Sequence, residues 1–251
     1  MLLTYHEIVT TRSEYVYSAT SAELAEHLTV IQSREASGLK HVVTFDDGHL
    51  SQYAHGLPVL EGQGVKAIFF VTAGWTGRRK SYMGWEHLRE LVSLGHEVQS
   101  HGWSHEMLSR CPSDRLIEEL QRSKYSLEDR LGTRVDAISM PGGRWNTAVL
   151  THCGQAGYTR LYTSDAYAQP TLCGDISILG RCMIRRGMSD RDLIRLLDSQ
   201  DGKFSSEKTL FQLKRSARAI LGDTVYHRLW RWAGRSDAAS VDSDGMAGSY
   251  R

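Results

Sequence analysis

Short runs of β-branched and aromatic residues alternate with amphipathic segments along most of the chain. These runs predict strands at residues 2–5, 41–45, 66–72, 96–100, 135–140, 158–163 and, more weakly, 176–180. Alternation of strands with helical patterns is typical of a mostly parallel sheet covered by crossover helices. The pattern therefore predicts an α/β fold, a distorted (β/α)7-type barrel.

Start and stop signals mark three of the intervening helices. Thr20 and Glu23 have the spacing of a capping box and predict a helix that runs to residue 33. Two further amphipathic patterns span residues 85–95 and 113–132, and each ends at a glycine, a common helix stop. The second of these begins at Ser113, which we expect to cap the helix.

The composition is that of a soluble globular protein and points to no special partner. The chain has 251 residues, 41% of them hydrophobic and 24% charged, and a formal net charge of +1, so we expect no nucleic-acid partner. Its four cysteines lack a CxxC spacing and fit a reducing compartment. The opening "MLLTYHEIV" lacks the basic and long apolar regions of a signal peptide, so we expect a cytoplasmic protein. The oligomeric state is left open.

Two segments near the C-terminus differ from the rest. Residues 206–235 read as a basic amphipathic helical extension, with seven lysines and arginines against two acidic residues. Such a segment could lie on the anionic inner face of a membrane as a peripheral contact, or pack against the barrel with a solvated basic face. Residues 236–251 are poor in apolar anchors and are predicted to be disordered. We assign the barrel to residues 1–205.

Polar residues follow the predicted strands directly. In a parallel barrel, functional residues gather at the edge where the strands end, so these side chains are expected to meet. Core packing alone does not account for so many polar groups at corresponding positions. The residues concerned are His6, Asp46, Asp47, His101, His105, the turn Pro141–Gly142–Gly143–Arg144, and Asp165.

Two of these histidines and one aspartate have the composition of a catalytic metal site. Two histidines and a carboxylate form a common three-ligand zinc site that leaves one position for water. His101 and His105 are four residues apart, so both could face one point from a helical turn, with Asp46 or Asp47 completing the set. A divalent cation, zinc before cobalt or another ion, would also explain how two adjacent acids coexist at the end of a buried strand.

In combination, these motifs resemble the polysaccharide deacetylases of the NodB-homology type, carbohydrate esterase family 4. "TFDDG" matches the first motif of that family in full, and "HGWSH" matches H-[ST]-x-x-H except at Gly102. "SMPGG" resembles R-x-P-x-G, with Ser139 in place of the arginine. The resemblance covers about residues 1–190. It implies a metal-dependent hydrolase that removes N-acetyl groups from an amino-sugar-containing saccharide.

The resemblance also implies a role for each matched residue. Asp46 would be the general base, and Asp47 would bind the metal together with His101 and His105. The backbone N–H of Gly142 would stabilise the oxyanion.

Two departures from the family pattern leave questions. The missing motif-three arginine normally pairs with the base, and Arg144, Arg160 or Arg181 could substitute for it. The late L-x-H histidine, the usual general acid, has no counterpart in the barrel region. A subgroup that resembles poly-N-acetylglucosamine deacetylases begins with a Y-H motif, as in "LLTYHEI". This likeness implies that His6 replaces the late histidine, while a packed strand-end histidine is the alternative.

Further side chains could contact the substrate. Pro141, Arg144 and Asp165 follow predicted strands and are expected to lie near the reaction centre. Three tryptophans predicted near the same edge could stack on sugar rings or simply pack: Trp75, Trp103 and Trp145. Trp103 is the strongest candidate, because it lies between the two histidines.

Two other functions stay open at this point. One is a hydrolase of the same fold that cleaves a C–N bond in a small amide or imide. The other is a catalytically silent saccharide-binding protein, an alternative that the serine at position 139 keeps open.

Overall fold

The computed structural model describes residues 2–35 and 41–200. The strands in this part of the chain are β1 (Leu2–Tyr5), β2 (Glu7–Val9), β3 (Ser18–Thr20), β4 (Val42–Phe45), β5 (Ala67–Val71), β6 (Glu97–Ser100), β7 (Ala137–Ser139), β8 (Arg160–Thr163), β9 (Thr171–Cys173), β10 (Ile176–Gly180) and β11 (Cys182–Met183). The α-helices are α1 (Ser21–Glu35), α2 (Leu57–Gly62), α3 (Trp85–Ser93), α4 (Ser113–Leu131), α5 (Thr147–Gln155) and α6 (Asp190–Gln200).

Nine strands form one curled sheet in the order β11–β1–β4–β5–β6–β7–β8–β10–β9. All neighbours are parallel except β9, which runs antiparallel to β10. Strands β10 and β11 are consecutive in the chain, with Arg181 alone between them, yet β10 pairs with β8 and β11 pairs with β1. One segment therefore borders both ends of the parallel sheet and curls it into the predicted α/β barrel.

The predicted elements agree closely with the observed ones. Each predicted strand is present within two residues of its expected bounds. In the capping box before α1, Thr20 N donates to Glu23 Oε2 at 2.7 Å and Glu23 N donates to Thr20 Oγ1 at 3.1 Å. The expected cap of α4 is wrong by one residue, because Ser113 is already helical and Pro112 occupies the cap position. The sequence analysis did not predict the small β2–β3 sheet, the strands β9 and β11, or the helices α2, α5 and α6.

Side-chain alternation along the strands separates two apolar layers. Phe45 of β4 and Phe69 of β5 stack at 4.8 Å between ring centroids and belong to the main core, which the helices cover. Ile68 and Phe70, their neighbours on β5, join a second, smaller cluster with Tyr162 of β8. Successive strand residues point to opposite faces, so this second cluster fills the interior of the curled sheet.

The described helices are too short or too polar for any of them to cross a membrane. The predicted boundary at residue 205, the basic extension 206–235 and the tail 236–251 all lie outside the described residues.

Candidate active site

Strand register brings the first two site residues together. Tyr5 of β1 lies opposite Phe45 of β4, and both side chains belong to the main core. His6 and Asp46 are the next residues on the two strands, so their side chains point to the interior of the sheet. The Asp46 N–H donates to the Tyr5 carbonyl at 2.9 Å, which holds the two strand ends side by side.

Asp46 forms a buried, two-pronged ion pair with Arg181. The guanidinium donates from Nη1 to Asp46 Oδ1 and from Nη2 to Asp46 Oδ2, each at 2.7 Å. Ser139 Oγ accepts from Arg181 Nη2 at 2.6 Å and donates to Asp46 Oδ2 at 3.0 Å. Of the three arginines that could replace the motif-three arginine, the structure therefore selects Arg181. Ser139, which stands where the family motif has its arginine, forms hydrogen bonds with both members of this ion pair.

Further contacts fix the Arg181 side chain, which is fully buried. Its Nη1 donates to Thr44 Oγ1 at 3.0 Å and to Thr4 Oγ1 at 3.2 Å, and its Nε donates to the Thr163 carbonyl at 3.4 Å. The guanidinium carbon lies 5.1 Å from the ring centroid of Phe70 in the interior cluster. Arg160, by contrast, pairs with Glu97 and Asp136 beside the start of β8.

The ion pair determines the ionisation of the expected base. Burial alone would raise the pKa of Asp46, but the charge and hydrogen bonds of Arg181 bring that pKa down to about 2. Asp46 is therefore a carboxylate throughout the neutral range.

Asp47, His101 and His105 converge on one point. Asp47 Oδ1 lies 3.2 Å from Nε2 of each histidine, and the three donor atoms lie within 4.8 Å of one another. Burial would raise the pKa of Asp47, but the two imidazoles hold it well below its usual value. The structure thus brings together the three residues that the sequence assigned to a metal.

The donor set fits a divalent cation. Asp47 Oδ1 is buried, and among the described residues it accepts no hydrogen bond, despite its short distances to the two rings. His101 Nδ1 lies 2.9 Å from the Ser139 carbonyl oxygen, which can only accept, so Nδ1 carries the proton and Nε2 is left as the ligand atom. A carboxylate oxygen and two imidazole nitrogens that converge on one point are what a three-ligand zinc site requires.

The segment that carries both histidines is a loop and not the expected helical turn. Gly102 and His105 have left-handed φ angles of 77° and 67°. Glu119, fully buried on α4, holds this loop: its Oε2 accepts the N–H groups of Trp103 and Ser104, both at 2.9 Å. A Cβ at position 102 would lie 3.3 Å from that oxygen, so glycine in the second motif leaves room for Glu119.

His6 lies beside both carboxylates. Burial lowers the pKa of its imidazole, and the charges of Asp47 and Asp46 partly offset that effect. Its Nδ1 is buried and, among the described residues, has no hydrogen-bond partner. The Tyr17 ring lies 5.3 Å away between centroids and forms one wall of its surroundings.

The third motif forms a tight turn after β7. Pro141 is buried, and Gly142 adopts the left-handed region, with φ 67° and ψ 9°. The Gly143 N–H donates to the Met140 carbonyl oxygen at 2.7 Å. Beyond this turn, Arg144 continues in an extended conformation.

Asp165 and the tryptophans occupy more varied surroundings. Asp165 follows β8, and its Oδ1 accepts the Tyr167 N–H at 3.2 Å within its own loop. The Trp75 ring lies 5.2 Å from His105, whereas the Trp103 ring is contacted by the Arg122 guanidinium at 4.0 Å. Trp103 therefore packs against α4 although its backbone lies between the two histidines.

The sequence analysis did not identify three tyrosines that lie near the candidate active site. Tyr15 and Tyr17 come from the loop before β3 and pack edge to face at 5.8 Å. Tyr82 packs on Trp75 with 4.6 Å between centroids. These rings add an aromatic rim that a polar strand-end search cannot find, because they lie in loops without a periodic pattern.

Comparison with known proteins gives the family. Residues 34–161 match the model described as polysaccharide deacetylase. The chitooligosaccharide deacetylase of Bradyrhizobium sp. (strain ANU 289) is 29% identical over 133 residues, which are 52% of this chain and 58% of that protein. This chain spans less than two thirds of the length of the curated relatives it matches.

Solved structures agree on the fold. The Streptococcus pyogenes deacetylase PplD in complex with acetate matches with a TM-score of 0.67 and 20% identity over 78% of this chain and 96% of that one. IcaB from Ammonifex degensii matches with a TM-score of 0.65 and 24% identity, and the match covers 79% of this chain and 96% of that one. The chain thus belongs to the polysaccharide deacetylase family, as its motifs had indicated. This is a family of hydrolases that act on N-acetylated sugars.

The Arg181→Met variant should lower the free energy of unfolding by about 3–5 kcal/mol at pH 7, because it leaves the buried Asp46 carboxylate without its partner. The ion pair lowers the pKa of Asp46 from 3.8 to about 2. Its stabilisation is therefore present above about pH 4 and is lost as the pH falls toward 2, so the deficit of the variant should shrink in acid. Urea unfolding of the variant and the wild type at several pH values measures this difference in stability.

The matched control is Arg134→Met, since the Arg134 side chain is 73% exposed. This control variant should lose less than about 1 kcal/mol of its free energy of unfolding, as is usual when an exposed ion pair is removed. Equal losses in the two variants would show that Arg181 is not the partner of a buried charge.

The Glu119→Gln variant should weaken metal binding about 10- to 100-fold while the fold is retained. An amide has one acceptor oxygen, whereas both Glu119 oxygens now accept, Oε2 from the N–H groups of Trp103 and Ser104 and Oε1 from Ser104 Oγ and Arg115. Competition with a chromogenic chelator measures the zinc affinity. The control is Glu118→Gln, its exposed neighbour on the same helix, which pairs with Arg115 and Arg122. The same affinity in both variants contradicts a positioning role for Glu119.

Proposed function

We propose that the protein is a metal-dependent hydrolase that removes N-acetyl groups from an amino-sugar-containing saccharide and releases acetate. The proposal rests mainly on the Asp47 carboxylate. Its buried Oδ1 lies between two histidine nitrogens, accepts no hydrogen bond from the residues that the structure describes, and stands next to an ionised, arginine-bound Asp46. Membership in the polysaccharide deacetylase family supports the reaction. The name of the Bradyrhizobium relative supports an oligomer of N-acetylated sugars as the first substrate to try.

A divalent cation held by Asp47, His101 and His105, most readily zinc, would polarise the acetyl carbonyl and lower the pKa of a water molecule. Asp46 would accept the proton of the attacking water. Its oxygens offer about four lone-pair sites, and Arg181 and Ser139 use three of them, so one is left for that proton.

The remaining proposed roles concern the charge that develops on the substrate. The Gly142 backbone N–H, in its left-handed turn, would donate to the tetrahedral oxyanion, a contact that typically contributes a factor of about 10²–10³ in rate. His6 would donate a proton to the leaving amine, which leaves poorly unless it is protonated. The aromatic rim of Trp75, Tyr82 and Tyr17 offers ring faces to a saccharide chain.

Purified protein should release acetate from N-acetylglucosamine oligomers with zinc or cobalt present, and a chelator should abolish the release. Asp47→Ala should lose metal and activity together, whereas Asp46→Asn should retain the metal and lose the rate. The control Asp175→Asn removes an exposed aspartate from a turn and should leave both unchanged. No release by metal-bound protein would favour a small-amide substrate or a silent saccharide-binding protein. A protein that binds no metal would contradict the proposal itself.

The His6→Gln variant should retain the metal and lose a factor on the order of 10²–10⁴ in kcat, the usual contribution of one acid–base group. Burial lowers the pKa of His6, so its acid form is populated at lower pH, and the factor lost should shrink as the pH rises. The control His152→Gln alters an exposed histidine on α5. Equal kcat–pH profiles for His6→Gln and the wild type would remove His6 from the mechanism.

The basic segment 206–235 motivates one further part of the proposal, a peripheral contact with the inner face of a membrane. The segment carries seven basic and two acidic residues, a net charge of +5. The full chain should pellet with vesicles that contain phosphatidylglycerol, should pellet less at high salt, and should not pellet with neutral phosphatidylcholine vesicles. Arg228→Glu with Arg231→Glu should reduce pelleting. Absence of pelleting with anionic vesicles contradicts this contact.

A further inference from the structure

A cleft borders the segment that carries the two histidines, with Trp103 of that segment in its wall. It has a volume of about 140 Å³ and is bordered by the loop after β5, the Trp103 segment after β6, and helices α3 and α4. We call it the arginine cleft. Its principal lining residues are Thr76, Arg78, Trp85, Trp103, Ser126 and Arg130.

Three guanidinium groups contact the two indole rings of this cleft. The guanidinium carbon of Arg122 lies 4.0 Å from the Trp103 ring centroid, and that of Arg78 lies 5.2 Å from the same ring. The guanidinium carbon of Arg130 lies 5.0 Å from the Trp85 ring. A guanidinium that contacts an aromatic ring through its flat face keeps its N–H edge available to acceptors.

Positive charge in the cleft exceeds the carboxylates that could balance it. Arg122 pairs with Glu118 at 2.9 Å. Within residues 2–35 and 41–200, Arg78 and Arg130 form no ion pair with an acidic side chain. Like charges gathered around two rings repel one another, so an anion in the cleft would be stabilising.

We propose that the arginine cleft binds a phosphate group. A phosphate monoester carries nearly two negative charges at neutral pH and three acceptor oxygens, and it therefore matches several guanidinium forks at once. A carboxylate has one charge and two oxygens and would leave part of the positive charge unbalanced. The hydroxyl of Ser126, which also lines the cleft, is a further donor for such an oxyanion.

The cleft is distinct from the metal-binding cluster but structurally connected to it. Trp103, which forms part of its wall, lies between His101 and His105 in the chain, and the Gly74 N–H donates to the Trp103 carbonyl at 2.8 Å. Arg79, next to Arg78 in the loop, contacts the Trp75 ring at 4.2 Å, on the side of the active site. The phosphate could be free in solution or carried by a sugar that also reaches the reaction centre.

Isothermal titration of the full-length, metal-loaded protein with inorganic phosphate tests the site directly. The double variant Arg78→Gln with Arg130→Gln should bind phosphate at least about tenfold more weakly than the wild type, since a hydrogen bond to a charged group contributes on that scale. The control Arg134→Gln removes an exposed charge elsewhere and should bind like the wild type. Phosphate can also bind a metal ion, so all proteins are compared at equal metal content, and circular dichroism verifies their folding.

Two further ligands identify the chemistry and the source. Glucuronate, with its single carboxylate charge, should bind more weakly than phosphate. N-acetylglucosamine 1-phosphate that binds at least tenfold more tightly than phosphate, in the wild type but not in the double variant, assigns the site to a sugar-borne phosphate. Equal affinities assign it to the free ion. The proposal is overturned if the wild type binds no phosphate at millimolar concentration, if the double variant binds like the control, or if glucuronate binds more tightly. None of these readouts depends on deacetylase activity.

Discussion

The ion pair between Asp46 and Arg181 is the constraint around which the barrel is arranged. Removing two charges from water costs several kcal/mol per ion, and the cost is offset only where the geometry is good and the remaining hydrogen-bonding groups are satisfied. Here the arginine makes two short bonds to the carboxylate and further bonds to Thr4, Thr44 and Ser139. These partners lie on or directly after β1, β4 and β7, so one side chain joins strands that are far apart in sequence.

The ion pair also explains how two adjacent acids coexist at the end of a buried strand. Asp46 continues the alternation of β4 and points to the interior, where Arg181 neutralises it. Asp47 has a φ of 74°, outside the extended region of the strand, and its carboxylate lies between His101 and His105. The two carboxylates thus have different partners, the guanidinium of Arg181 for Asp46 and the two imidazoles for Asp47. A side chain in the left-handed region is uncommon outside glycine, and such conformations often persist at sites where function maintains them.

Local sequence patterns predict many of the residues of the candidate site, but not all of them. Strand ends are visible as a change from apolar to polar residues, and parallel topology then brings them to one edge, which is why the cluster of Asp47, His101 and His105 could be predicted. Arg181 could not be selected, because it lies 135 residues from Asp46 and its two-residue neighbourhood has no distinctive pattern. Glu119 was not singled out, since the periodicity of a helix does not reveal that a neighbouring loop directs two N–H groups at one of its acids. Trp103 was placed by chain position, whereas its ring packs against α4.

Ser139 and Arg181 together account for the departure in the third motif. An arginine at position 139 would add a second long cation to an interior that already holds one. Serine is small enough to leave that space to Arg181, and its hydroxyl both accepts from the guanidinium and donates to Asp46. The positive partner of Asp46 is thereby supplied from the β10–β11 junction instead of the end of β7, and it binds both carboxylate oxygens. A serine at this position is therefore no argument for a catalytically silent protein, because the electrostatic environment that a general base needs is present by another route.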